Sequence, residues 1–462
     1  MAGIGFVLRD LVRRDDLLGV ARAYGHSTVI SCAPWLFTVL TLAALTLLGP
    51  RFTTMDKAML FRLLIIYNFA FSLVLTAPLL HTATRVFSDS IYRRSVEPTV
   101  THLILLLIAG YGSGIVFAAP FYVFVADLAP GVAVAAVVNY MLVCGIWAVS
   151  IFLSALKDYR TVTMSFLFGL AISFIGCLGL ASAYGTSGML WGFSLGLILL
   201  QASLIARILS EFPSVLVSPG EIWREYRQYP IIALGALAYG LGIWIDKWIM
   251  WFAPERHKMA GGLIFYPDYD GAMFLAFMTT IPAFAVFTLT AETDFFERYY
   301  DYHQGIRRHA SLDRIKTTER AVASTLLGAF RNIAVIQGTV TALAILLAPQ
   351  IISVFGVTTL QISMFRIAAL GAYFHVMFMF TTVNLAYFDQ QATNLRLHAS
   401  FLLANALFTW GAAQLGFRFY GYGYFLASLT AFALSATAMA QALTRMRYLT
   451  FVTGGSRVKR SR

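Results

Sequence analysis

An acidic side chain inside a long apolar run is the feature of this sequence with the clearest chemistry. Asp246 lies in the run 230–252 and is the only acid within an apolar core segment. A carboxylate in apolar surroundings is costly, so such residues commonly serve a proton, a cation or a substrate. At helical spacing Asp246 shares one stripe with Gly235, Tyr239 and Gly242, whose small or polar side chains suit close packing or a cavity.

The sequence offers several counter-ions for Asp246. Lys247 is its chain neighbour, but about 100° separates consecutive residues on a helix, so we expect the two side chains to face each other poorly. Asp246 is therefore predicted to pair with a cation on another helix, and Arg366 and Arg62 lie at similar depth in their own apolar runs. A structural ion pair and a functional site both fit this residue.

Arg366 and Arg62 differ in the helical faces they occupy. Arg366 shares its stripe with Tyr373, Met377 and Asn384, a polar face that indicates contact with water along a whole helix. Arg62 lies on an apolar face, which is more typical of a long side chain that reaches back to the membrane interface.

Neutral polar and aromatic side chains form a second set of candidates within the apolar runs. Each amide or imidazole can bond a neighbouring helix, worth about 0.6 kcal/mol, and this is the simpler interpretation of any one of them. Together they also permit a hydrated cavity. Trp244 and Trp248, four residues apart on one face, could stack on a sugar or belong to an interfacial belt. The polar residues are Asn68, Asn139, Gln201, His375 and Asn405.

The composition places these residues in a membrane. The chain has 462 residues, of which 59% are hydrophobic and only 12% are charged, against about 25% charged in soluble domains. This excludes a soluble enzyme, a nucleic-acid-binding protein and a secreted disulfide scaffold. Runs of about 20 apolar residues predict helices and not barrel strands. Twelve runs qualify: 26–49, 58–81, 99–122, 131–155, 161–184, 188–210, 230–252, 271–291, 331–353, 363–388, 396–416 and 421–444.

The basic residues predict the orientation. With the N-terminus inside, 26 of the 34 Lys and Arg residues fall in or at the edge of cytoplasmic segments, five fall outside and three lie within spans. Lys and Arg favour cytoplasmic loops, so both termini are predicted to be cytoplasmic.

The runs divide the chain into five predicted parts of an all-α polytopic membrane protein. The first is an interfacial amphipathic helix, for which a frayed basic terminus is the alternative. The parts are 1–24 (amphipathic helix), 25–211 (N-lobe, six spans), 212–229 (cytoplasmic linker), 230–444 (C-lobe, six spans, with the polar segment 292–330) and 445–462 (basic tail).

The sequence shows no catalytic motif. It has no phosphate-binding glycine loop, no His/Cys cluster with metal-ligand spacing and no nucleophile elbow, so we predict neither an enzyme nor a cofactor. Asp268 and Asp270 could hold a metal and a sugar phosphate, but the flanking Pro267 and Gly271 favour a solvated turn. Cys32, Cys144 and Cys177 are predicted to be small core residues.

Three separate blocks of the sequence resemble the Pel exopolysaccharide transporter family. They are MAGIGFVLRDLVRRDDLLGVARAYG with the following SCAPW, GIWIDKWIMWF (242–252), and YDGAMFLAFMTTIPAFAVFTLTAETDFFERYYDYH (269–303). The resemblance covers essentially the whole chain. It implies the fold of the multidrug/oligosaccharidyl-lipid/polysaccharide flippase superfamily, with two six-helix lobes around a central cavity.

The resemblance also implies a function. It implies a bacterial inner-membrane exporter that moves an N-acetylgalactosamine-rich Pel polymer to the periplasm for a biofilm matrix. The implied partners are the cytoplasmic glycosyltransferase PelF and the inner-membrane proteins PelD and PelE. Asp246→Asn is expected to lower export without loss of folded protein. Candidates for the transport path are Asp246, Lys247, Arg366, Tyr239, Trp244, Tyr373, Asn384, Asn68 and Arg62.

The polar segment 292–330 is the expected docking site for those partners. It is acidic and aromatic first and basic later, and topology determination alone is the alternative role of its basic residues. The candidate docking residues are Glu292, Asp294, Phe295, Phe296, Glu297, Tyr299 and Tyr300.

Other functions stay open at this point. Only three cations lie within spans, which favours a neutral or weakly charged glycan over a lipid-pyrophosphate donor. A cation-coupled small-molecule antiporter would need Asp246 as its acid. A scaffold that assembles a synthase and conducts nothing fits the sequence equally well.

Overall fold

A computed structural model of the chain describes most of the predicted spans. The described residues are 38, 40–45, 48–93, 95–156, 159–213, 215–259, 262–290, 295–354, 361–448 and 450–451. The predicted amphipathic helix 1–24 and most of the span 26–49 lie outside them. The described chain is almost entirely helical.

The chain contains two compact units, here called unit A and unit B. Unit A contains the described residues up to Trp244 together with 255–265, and unit B contains Ile245–Pro254 and the described residues from Tyr266 onward. The predicted lobe boundary at 212–229 stays a prediction.

Long apolar helices build unit A, as the hydropathy of its sequence requires. A short antiparallel hairpin, with His257 opposite Phe265, belongs to the same unit. Two π-helical turns, Gly114–Ala118 and Phe121–Val125, continue its second helix. The elements are α1 (Met55–Arg93), α2 (Thr99–Ser113), α3 (Pro130–Leu156), α4 (Tyr159–Glu211), α5 (Pro219–Tyr226), the first part of α6 (Pro230–Met250), β1 (His257–Lys258) and β2 (Ile264–Phe265).

Unit B contains the end of α6 and the remaining helices. Its first span is interrupted, because α7 ends at Met278 and α8 begins at Ile281. Thr279 and Thr280 make the turn between them, and their hydroxyls donate to Ala276 O and Phe277 O. The helices are α7 (Pro267–Met278), α8 (Ile281–Thr290), α9 (Phe296–Arg307), α10 (Leu312–Leu346), α11 (Ala348–Val354), α12 (Gln361–Tyr387), α13 (Gln391–Leu415) and α14 (Tyr422–Thr444).

The helices of the two units give a partial count of the passes through the membrane. Within the described ranges, nine helical segments are long and apolar enough to cross a membrane, which makes the chain a multi-pass membrane protein. The total of twelve stays a prediction, since the span 26–49 is largely undescribed. Cys144 and Cys177 are buried free thiols, as predicted.

Helix α4 is a hairpin of two antiparallel arms. Gly185 has φ 56° and ψ −132°, a conformation that only glycine adopts readily, and it reverses the chain. The arms then pack so closely that Ser173 Oγ donates to Phe193 O at 2.8 Å and Cys177 Sγ to Met189 O at 3.0 Å. A Cβ on Gly192 would overlap the Gly176 backbone. The arms correspond to the predicted spans 161–184 and 188–210.

The glycine contact in this hairpin gives a test of the packing. Gly192→Ala is expected to cost about 1–3 kcal/mol, because backbone atoms cannot move aside for the new methyl group. Gly179→Ala in the same hairpin is the matched control, since nothing lies within 4 Å of its Cβ position. Thermal unfolding in one detergent compares the two variants. Equal loss in both would contradict the close approach of the arms.

Candidate functional site

Asp246 forms an ion pair with its neighbour Lys247. Lys247 Nζ lies 3.1 Å from Asp246 Oδ1 and 3.0 Å from Oδ2, and the exposed fractions of the two side chains are 9% and 0%. The prediction that these residues face each other poorly is wrong. The helical rotation separates their Cβ atoms, but four methylenes let the lysine head fold back to the carboxylate.

The arginines expected to pair with Asp246 do not share its burial. Arg62 on α1 and Arg366 on α12 are both exposed, and Arg366 Nε donates to Ile345 O at 3.1 Å. The hydrogen-bond partners that the structure gives Asp246 from other helices are neutral. Tyr269 OH on α7 donates to Oδ2 at 3.0 Å, and Asn405 Nδ2 on α13 donates to Oδ1 at 3.3 Å.

Aromatic rings cover the ammonium group of Lys247. Its Nζ lies 5.0 Å from the ring centre of Phe277 and 5.7 Å from that of Tyr424, distances at which a cation is attracted to the ring face. We call the six residues of this arrangement the Asp246 cluster: Asp246, Lys247, Tyr269, Phe277, Asn405 and Tyr424. It lies entirely in unit B.

Two further carboxylates, those of Asp268 and Asp270, lie near the start of α7. They were predicted to lie in a solvated turn, and that prediction is wrong. Asp268 and Asp270 occupy the first helical turn, where free backbone N–H groups favour negative charge. Trp251 Nε1 donates to Asp270 Oδ1 at 3.2 Å and to Oδ2 at 3.0 Å, and Gln361 Nε2 donates to Asp268 Oδ1. Pro267 starts a helix here instead of ending one.

The remaining candidates for the transport path differ in their burial. Tyr239 and Trp244 on α6 and Tyr373 on α12 are half-buried. Asn384 is buried, and its Nδ2 donates to Phe380 O of its own helix at 2.7 Å. The predicted polar stripe of α12 therefore begins with an exposed arginine and ends with an internally satisfied amide.

The buried amides of unit A hydrogen bond between helices. Asn68 Nδ2 donates to Asn139 Oδ1 at 2.9 Å, and Tyr122 OH donates to Asn68 Oδ1 at 2.6 Å. Asn139 Nδ2 continues the network to Ser194 Oγ at 3.2 Å. Bonding to neighbouring helices, the simpler interpretation of these residues, is what the structure shows.

Sequence reasoning missed the aromatic members of the Asp246 cluster. Tyr269 and Phe277 lie eight residues apart on one face of α7, a spacing that could have been noticed. Tyr424 on α14 gave no such signal, because only the tertiary packing brings it to Lys247. Within the described ranges, no three His, Cys, Asp or Glu side chains come together as metal ligands do.

The predicted docking residues divide between interior and surface. Phe295 is buried, its ring lies 5.6 Å from that of Tyr299, and Tyr299 OH donates to Tyr387 O at 2.8 Å. Glu297 and Tyr300 are exposed on α9. Glu292, Asp294 and the side chain of Phe296 lie outside the described part.

A histidine on the same helix α9, His303, packs beside Tyr299. Burial lowers the pKa of His303, and the charge of Arg307 lowers it further. The ring of His303 lies 4.5 Å from that of Tyr299, so it extends the internal aromatic packing of α9 and adds no charge to it.

A comparison with protein families identifies the chain. The profile of the PelG family, described as "Putative exopolysaccharide Exporter (EPS-E)", matches residues 1–451. The chain belongs to the PelG family. No curated protein matches the sequence.

Solved structures of transporters share the fold. An outward-facing multidrug resistance MATE family transporter of the MOP superfamily aligns with a TM-score of 0.66 at 15% identity, covering 91% of this chain and 96% of the other. A MOP superfamily transporter from Pyrococcus furiosus, described as having a binding pocket of reverse polarity, aligns with a TM-score of 0.63 at 14% identity, covering 91% of this chain and 96% of the other. An inward-facing MATE transporter aligns at 0.62 and 14%, covering 90% and 99%. The chain therefore shares the fold of these structures, and the expected all-α membrane architecture is confirmed.

The ion pair of the Asp246 cluster predicts a strong coupling between two substitutions. Asp246→Asn and Lys247→Met should each cost about 3–5 kcal/mol, because each leaves one buried charge unpaired. The double variant should lie close to the wild type, since it removes both charges and keeps the volume. Thermal unfolding of the four proteins in one detergent measures this. From the sequence, Asp246→Asn was expected to fold normally. The buried ion pair instead predicts that this variant is destabilised.

Additive losses in the double variant would contradict the pairing. Lys258→Met on the exposed strand β1 is a control for lysine removal as such, and it should leave the unfolding temperature unchanged.

Proposed function

We propose that this protein exports Pel exopolysaccharide, an N-acetylgalactosamine-rich polymer, across the bacterial inner membrane to the periplasm for a biofilm matrix. The observation that carries the proposal is the match to the PelG exporter family over residues 1–451. The transporter fold supports movement of a cargo over catalysis, and the proposed role is not enzymatic.

The charges of the membrane helices favour a neutral or weakly charged cargo. Lys247 is neutralised by Asp246, and Arg366 is exposed with its Nε on a carbonyl group. A pyrophosphate needs clustered cations, because each phosphate oxygen binds best to a charged donor. A growing neutral glycan, handed over by a synthase, needs none.

Coupling to the synthase is the second part of the proposal. The cytoplasmic glycosyltransferase PelF, with the membrane proteins PelD and PelE, would contact the α9 surface around Glu297 and Tyr300. Both termini are then cytoplasmic, on the same side as α9. The exposed acid and the exposed ring offer one charged and one apolar contact, a combination common at protein interfaces.

A cation-coupled antiporter is the alternative that one observation favours. Asp246 is a buried carboxylate in a membrane helix of a fold shared with multidrug transporters. Such a protein would move small cations or drugs when purified into liposomes, whereas the proposed exporter would not. A conducting exporter also differs from a scaffold, because a scaffold retains Pel secretion when cargo passage is blocked.

The docking surface predicts the effect of a double substitution on α9. Glu297→Lys with Tyr300→Ala should reduce co-purification of PelF from native membranes by about tenfold, since a change of about 1.4 kcal/mol is tenfold in binding. Pel polymer in the periplasm should fall in parallel. Mass spectrometry of the purified complex and a lectin assay measure the two effects.

A matched control separates the α9 surface from charge reversal in general. Glu97 is an exposed acid on a segment also predicted to be cytoplasmic, so Glu97→Lys should leave both readouts unchanged. Retention of PelF in the α9 variant would exclude this surface as the docking site.

The cargo predicts a binding experiment with purified protein. A neutral Pel oligosaccharide should bind with similar affinity to the wild type and to Arg366→Gln, because no fixed cation is needed to hold it. Isothermal titration measures this. Tight binding of an undecaprenyl-pyrophosphate glycan that is lost in Arg366→Gln would replace the neutral-polymer proposal with a lipid-linked cargo.

A further inference from the structure

The Asp246 cluster has the composition of a binding site for a small organic cation. One carboxylate and two aromatic rings surround a single positive charge, and all of these groups are buried except the half-buried ring of Phe277. Proteins bind free alkylammonium ions with the same groups. In this chain the positive charge belongs to the protein itself.

We infer that the Asp246 cluster is a cation site whose permanent occupant is the ammonium group of Lys247, so that no inorganic cation binds there. The site would accept a monovalent alkylammonium ion only after the lysine is shortened. For the export cycle, the inference rests on the proposed function and adds that Asp246 does not exchange a coupling cation.

The carboxylate has no unfilled position for a second cation. Oδ1 accepts from Lys247 and Asn405, and Oδ2 accepts from Lys247 and Tyr269. A sodium ion would have to displace the lysine head and then find further oxygen ligands. The rings of Phe277 and Tyr424, whose centres lie 5.0 Å and 5.7 Å from Lys247 Nζ, supply no oxygen ligand from their faces.

Two other ionisable groups, Asp270 and His375, do not take the place of the Lys247 ammonium group. Asp270 is bound through both oxygens to Trp251 Nε1. The ring of His375 lies 6.0 Å from that of Phe277 and 5.9 Å from that of Tyr424, on the aromatic side of the site. Neither group brings a second fixed cation to Asp246.

The covalent attachment of Lys247 makes its occupancy hard to reverse. A group on a short tether acts at an effective concentration of millimolar or higher at its site. Lys247 is the residue next to Asp246 and contacts both of its carboxylate oxygens. A dissolved cation therefore competes with an ammonium group that is covalently attached beside the carboxylate. Shortening the side chain removes that competitor and leaves the carboxylate and rings in place.

Chemical rescue tests the inference. In Lys247→Ala the missing atoms, from Cγ to Nζ, correspond to propylammonium. We expect this variant to unfold at a lower temperature than the wild type. Propylammonium should then raise its Tm saturably, by about 2 °C or more at concentrations well above Kd, and should leave the wild-type Tm unchanged.

Two variants and one neutral compound serve as controls. Lys247→Met fills the same volume without charge, and Asp246→Asn with Lys247→Ala removes the carboxylate, so propylammonium should shift neither. Propan-1-ol has the same chain without the charge and should not rescue Lys247→Ala. A shift of equal size in all variants, or no shift in folded Lys247→Ala, overturns the inference.

The wild-type protein provides a second test, which does not require Lys247→Ala to fold. Exchange of sodium for choline at constant ionic strength should leave its Tm unchanged. Stabilisation by sodium that disappears in Asp246→Asn with Lys247→Met would show that an inorganic cation binds the carboxylate, and the inference would be wrong. If propylammonium binds Lys247→Ala but the protein exports no Pel polymer, the proposed function fails and the cation site stands.

Discussion

A charge buried in a membrane helix must find its partners within the protein, because neither lipid nor water supplies them there. Asp246 meets this requirement fully. Its carboxylate is neutralised by the next residue in the chain and receives further hydrogen bonds from α7 and α13. Three helices of unit B are thereby fixed around one side chain, and the proposals about cargo charge and cation binding both depend on that arrangement.

The same requirement shapes unit A with neutral groups. Asn68, Asn139 and Tyr122 satisfy one another across α1, α3 and the turn after α2. Serine and cysteine side chains bond across the arms of α4, where glycines allow the backbones to touch. Both units thus use polar contacts between helices, and unit B also brings the opposite charges of Asp246 and Lys247 into its interior.

Much of the helical architecture could be predicted from the sequence, because hydropathy reports directly on membrane spans. The two arms of α4 agree with the predicted spans 161–184 and 188–210.

The pairing of Asp246 could not be predicted by helical phase, since phase describes Cβ atoms and the lysine chain is long enough to reverse its direction. Asp268 and Asp270 were misjudged for a related reason. Pro267 and Gly271 resemble turn residues in the sequence, but proline is also favoured in the first turn of a helix. Phe295 was predicted to lie on a docking surface, and its burial against Tyr299 depends on contacts that no local pattern encodes.

The interruption between α7 and α8 makes unit B easier to bend at this point than along its continuous helices. A continuous helix resists bending through its i→i−4 backbone hydrogen bonds. At Thr279 and Thr280 the backbone N–H groups bond instead to the carbonyls three residues back, Ala276 O and Phe277 O, which lowers that resistance at one point. The segment before the break carries Tyr269 and is anchored to Asp246. The segment after it leads towards α9, where synthase partners are proposed to bind. A load applied through α9 would therefore be absorbed at this joint, and the charged interior would keep its geometry.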